Sequence, residues 1–140
     1  METTQTTLER TLTQKDYVRL TRLLVEHGPG LAGAEAMQDL LDGSDLVASP
    51  AVPPTVVTMY SQVLLQDPAG NAPPYKLAIC YPGDAEPANG FVSVLSPVGM
   101  ALLGLRVGEV ARWKTPTGAS GAAKIVEVLF QPEASGDYET

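Results

Sequence analysis

The spacing of apolar residues changes twice along this chain, and each change marks a new kind of element. Tyr17, Leu20 and Leu24 fall on one helical face. Thr13 precedes them as an N-cap, with Asp16 three residues on in a weak capping-box arrangement, so the spacing predicts a helix over residues 13–27. His27-Gly28-Pro29-Gly30 then stops it, since two glycines and a proline remove helix propensity and a backbone donor within four residues. Ala36, Met37, Leu40 and Leu41 stand among Glu35, Gln38, Asp39 and Asp42 and predict a second helix over about 33–46, weakened by Gly43. So short a link predicts antiparallel packing, with arms of roughly 20 Å, the stub of a coiled coil.

Prolines 50, 53 and 54 make residues 48–55 a linker. Beyond it the period falls to two. Val57, Met59, Ser61, Val63 and Leu65 alternate with Thr58, Tyr60, Gln62 and Leu64 as a half-buried strand does. Asp67-Pro68-Ala69-Gly70-Asn71 reverses the chain into a second strand through Tyr75, Leu77, Ile79 and Tyr81, which predicts an antiparallel hairpin. Residues 82–90 read as loop and 91–95 as a short strand.

The stretch 96–109 combines a helix start, an apolar face and a turn. Ser96 can cap the first free amides, and Pro97 suits the first helical position because its missing donor would be unpaired there. Val98, Ala101, Leu102 and Leu105 recur at helical spacing, Gly104 stops the helix, and Val107-Gly108-Glu109 turns into a strand over 110–115. A turn at Pro116-Thr117-Gly118 leads to a last strand over 122–130. The predicted fold class is α+β: a short N-terminal antiparallel helical hairpin (13–48) after a mobile tail (1–12), then a domain (52–138) of order β-β-β-α-β-β with one helix covering a largely antiparallel sheet.

Charge and composition narrow the chemistry. Nine Lys and Arg are scattered among sixteen acids, for a net charge of -7, which argues against autonomous binding to nucleic acid and for a protein partner with basic surface. Cys80 is the only cysteine and lies in an apolar run, which excludes an internal disulfide or a cysteine metal cluster and predicts a small buried residue. The lack of a long apolar run or a secretory leader points to the cytoplasm. His27, the only histidine, sits at a helix end where the dipole favours a cation, so a capping or solvent role is expected. No catalytic triad, zinc spacing or phosphate loop is present, so the sequence calls for no catalytic residue, metal or cofactor. Trp113 and Tyr75 could line an aromatic pocket, but core packing is the expectation for both.

Ser96-Pro97, followed by Ala101-Leu102-Leu103-Gly104 and Val107-Gly108-Glu109, resembles the signature of the C-terminal domain of bacterial GreA/GreB transcript-cleavage factors. Ala48-Ser49-Pro50, Val56-Val57-Thr58-Met59, Tyr81-Pro82 and the run 131–138 extend the likeness, which is nearer to a shorter member of the group. The resemblance implies an FKBP-like sheet and docking on RNA polymerase near its secondary channel, with Ser96 and Pro97 holding the polymerase; Leu95 stands where an acid is common in Gre factors. In those factors a pair of acids at the hairpin tip holds a catalytic Mg²⁺. Here Glu26, His27 and Glu35 flank the tip without the family's acidic motif, which implies a non-enzymatic regulator. The alternatives are a cleavage-stimulating elongation factor and an FKBP-like prolyl isomerase.

Overall fold

The structure, a computed structural model, describes residues 9–28, 30–115 and 117–136. Residues 1–8 of the expected tail, and Tyr138 at the other end, lie outside the described residues. The last part of that tail is not loose: Thr11–Thr13 forms strand β1, with Leu12 1% exposed. It feeds α1 (Gln14–His27), where the Thr13 hydroxyl accepts from the Asp16 amide at 3.0 Å, as the capping pattern predicts. Gly28, with φ of 73°, ends the helix as its amide donates to the Leu24 carbonyl at 2.9 Å.

The second helix, α2 (Ala34–Asp42), is shorter than its apolar spacing predicts. Gly43 stops it, and Asp45–Val47 leaves as strand β2, which pairs in parallel with β1, Thr11 opposite Asp45 and Thr13 opposite Val47. This two-stranded ribbon was invisible to periodicity because three residues hold too few alternations to register.

Residues 56–61 are not the start of the next strand. Val56 to Met59 are four consecutive buried residues, docked against the chain at Leu105: the Val57 amide donates to the Leu105 carbonyl at 2.8 Å, and the Gly104 amide to the Val57 carbonyl at 2.8 Å. Burial on both sides removes the alternation a half-buried strand would keep. Regular pairing begins with β3 (Gln62–Gln66), which forms the expected antiparallel hairpin with β4 (Tyr75–Cys80). Asp67 builds the reversal, its carboxylate accepting from the amides of Ala69 and Asn71.

Strand β5 (Phe91–Ser93), helix α3 (Pro97–Leu102), strand β6 (Val110–Lys114) and strand β7 (Ser120–Phe130) complete a five-stranded sheet of order β5-β4-β3-β7-β6. Only the β4–β5 pair is parallel. Two register shifts between β3 and β7 bend the sheet. One apolar cluster runs through the whole arrangement: Leu20 of α1 and Met37 and Leu41 of α2 join Val63, Leu65, Ile79, Leu102, Leu105 and Ile125. The helix pair and the sheet therefore share a core.

Candidate functional site

Helix α3 is only six residues long, and both of its ends are fastened by side chains. At its start the Ser96 hydroxyl donates to the Ser93 carbonyl at 2.6 Å and accepts from the Gly99 amide at 3.1 Å, while the Ser93 hydroxyl accepts from the Leu95 amide at 3.1 Å. Pro97 occupies the first helical position, where its fixed φ suits the helix and no donor is lost. The fit is close: a Cβ on Gly99 would lie 2.2 Å from the Ser93 carbonyl oxygen, so only glycine fits. At the other end the Arg10 guanidinium, ninety positions away, donates through Nη1 to the carbonyls of Met100, Ala101 and Leu103 at 3.0, 3.2 and 2.7 Å. These carbonyls are ones a helix C-terminus leaves unpaired, and a cation there also meets the negative end of the dipole. Burial lowers the Arg10 pKa and Glu109 opposes the shift.

Of the residues expected to contact a partner, Leu95 and Ser96 are half-buried and Pro97 is exposed. The tip residues divide. Glu26 and His27, exposed at the end of α1, line a cleft with Tyr81, Pro82 and Gly83, whereas Glu35 is exposed in the first turn of α2. Gly33, just before that turn, has φ of 84°, and a Cβ there would come 2.9 Å from the Leu95 carbonyl oxygen and 3.3 Å from the Met100 methyl. The beginning of α2 thus rests against the Leu95–Ser96 turn. Among the described residues no group of three or more His, Cys, Asp or Glu could hold a metal ion.

The aromatic pair does not share a pocket, since two strands separate β4, which carries Tyr75, from β6, which carries Trp113. Core packing fails for Tyr75, which is 41% exposed on its strand. It holds for Trp113, which is half-buried against the core and covers Gly121 of the neighbouring strand. Cys80 is buried as expected, and burial followed by the Asp84 charge raises its pKa.

Sequence reasoning missed a buried polar cluster that ties α1 to both ends of the sheet domain. The Asp16 carboxylate accepts from the Met59 amide at 3.2 Å, and burial foremost, with the Glu133 charge adding, raises its pKa to about 6 against the opposing hydrogen bond from Met59. The Thr58 hydroxyl donates to Glu133 at 2.7 Å and lies 2.8 Å from the Ser61 hydroxyl, which accepts from the Thr58 amide. Asp16 was legible only as a helix-capping residue, since its partners are more than forty positions away. Tyr60 was missed as well. It adopts φ of 65°, donates its hydroxyl to Asp84 and packs on Tyr81 with ring centroids 5.7 Å apart.

A short capped helix, carried on a curled mixed sheet with a helix pair on its core, is the arrangement to set beside known proteins. The family model "Transcription elongation factor, GreA/GreB, C-term" matches residues 52–130. The solved structure of the prokaryotic transcription elongation factor GreA/GreB from Nitrosomonas europaea superimposes with a TM-score of 0.73 at 33% identity, covering 86% of this chain and 99% of that one. The chain belongs to the GreA/GreB family. It is similar to the regulator of nucleoside diphosphate kinase of Escherichia coli K12, with 37% identity over 109 residues, 78% of this chain and 79% of the relative. The likeness to the GreA of Solidesulfovibrio magneticus is 41% over 63 residues, 44% of this chain and 38% of that protein.

Proposed function

We propose that this protein is a non-enzymatic transcription regulator that binds RNA polymerase near its secondary channel, with Leu95, Ser96 and Pro97 as the contact and the helix pair, an antiparallel stub of the Gre coiled coil on an FKBP-like sheet, at the channel mouth. The observation that carries the reading is the double fastening of α3. Ser96 and Arg10 fix its two ends, so the exposed Pro97 is presented on a rigid support and little ordering entropy is lost on docking.

Cleavage stimulation does not fit the helix pair. Helices of fourteen and nine residues span roughly 21 and 14 Å, too short to carry a tip far into a channel. Glu26 near the end of α1 and Glu35 in the first turn of α2 stand without the acidic tip motif that would place a second metal. The protein therefore competes with Gre factors for the polymerase without shortening RNA. Stalled elongation complexes should keep their transcripts intact with this protein alone, and Gre-stimulated cleavage should decline as it is added. Pro97→Asp should abolish that competition while the variant stays folded. Transcript shortening by this protein alone would instead support the cleavage-factor reading, and undiminished Gre cleavage at saturating amounts would remove the shared site.

A further inference from the structure

Beside Pro97 an open groove of about 400 Å³ runs between α2 and the α3–β6 edge of the body. One wall is Asp39 and Leu40 of α2; the other is Pro97 of α3 and Arg112, Trp113 and Lys114 of β6. Because β6 is the edge strand, residues from both of its faces reach the groove. The indole is held in place from below, since a Cβ on Gly121 would lie 2.4 Å from its ring atoms. The charge here runs against that of the molecule. The chain carries -7 overall with nine Lys and Arg, yet Arg112 and Lys114, both exposed, and Arg10, occupied with the α3 carbonyls, border this one groove with a single acid, Asp39.

Resting on the docking reading above, we propose that this groove receives an acidic segment of the polymerase whose apolar or aromatic side chain seats against Trp113, Leu40 and Pro97 while its carboxylates face Arg112 and Lys114. A placed aromatic flanked by exposed cations matches that chemistry: burial against the indole supplies affinity, and the cations supply orientation and association rate. The site is also composite. One wall belongs to the helix pair and the other to the sheet domain, so neither alone presents the groove. The helix pair is then part of the docking surface as well as an element beside the channel.

Trp113 is the only tryptophan, so 5-fluorotryptophan incorporated into the full-length chain places one ¹⁹F label in the groove. Adding purified core RNA polymerase should move the chemical shift of that signal, apart from the broadening that any complex of that size produces. The variant Arg112→Glu/Lys114→Glu should weaken binding about tenfold or more at low salt, and much less at high salt. Lys76→Glu/Lys124→Glu, which changes net charge equally at two exposed positions outside the groove, should bind nearly as well as the parent. Ala36→Trp, from the exposed face of α2 that borders the groove, should block binding by filling it. If the parent binds polymerase but the groove variants bind equally well, or the ¹⁹F signal is unmoved at saturation, the groove is not the contact and the docking reading survives. If the parent does not bind polymerase, both fall. Equal losses from the two charge-reversal pairs would show a general charge effect and overturn the groove.

Discussion

Asp16 is 2% exposed and accepts one amide hydrogen bond, from Met59, and its replacement by Asn isolates what its charge costs. In the folded protein burial and the Glu133 charge raise its pKa from the ordinary 3.8 to about 6. Below 3.8 the carboxyl is protonated whether or not the chain is folded, and the stability is whole. Between 3.8 and 6 the unfolded chain releases the proton while the folded one keeps it, so stability falls as pH rises; above 6 the loss is complete. At 1.36 kcal/mol per pH unit this is about 3 kcal/mol at pH 7, of which roughly half is still retained at pH 5. Asn does not ionise and can still accept from the Met59 amide, but it adds a donor that needs a partner, a cost of about 1 kcal/mol. Asp16→Asn should therefore raise stability at pH 7.5 by about 1–3 kcal/mol, with a smaller gain at pH 5. Urea unfolding followed by Trp113 fluorescence between pH 5 and 8 measures both. A variant no more stable than the parent at pH 7.5, with the same slope against pH, would refute the argument that a buried, ionised Asp16 is a burden.

Two further outcomes test the packing. A fragment covering residues 52–136 loses Leu12, Leu20, Met37 and Leu41 from the shared core, so it should unfold at clearly lower urea than the full chain, and equal midpoints would mean that those contacts add nothing. Gly99→Ala forces a Cβ against the Ser93 carbonyl and should destabilise by about 1–3 kcal/mol, read as a lowered melting temperature; a silent substitution would show that the Ser96 turn is loose.

What could be read from the sequence is what neighbouring residues decide. Thr13, Ser96 and Pro97 make their contacts within three positions, and Asp67 closes its turn within four, so caps and hairpin follow from local chemistry. The remaining features depend on partners that the chain brings together only by folding. Arg10 reaches α3 across ninety positions, β1 meets β2 across thirty-four, and Asp16 meets Met59 across forty-three. Residues 56–61 misled for a related reason, since Thr58 supplies the polar half of an alternation yet is buried, its hydroxyl bonded to Glu133 seventy-five positions away. The capped start of α3 could be named in advance through the Ser-Pro pattern, but the groove could not, because its walls come from α2, α3 and β6.

The parallel ribbon of β1 and β2 holds both ends of the helix pair: α1 leaves from Thr13, opposite Val47, and the chain comes back at Asp45, opposite Thr11. Everything from 14 to 44 is therefore an excursion that leaves one end of the ribbon and returns to the other, and the ribbon's hydrogen bonds offset the entropy of bringing its ends together. Extra helical turns inserted at the connection would leave the ribbon undisturbed, but the close approach of Gly33 to the Leu95 carbonyl would have to be rebuilt, so longer reach comes only with a change in the body.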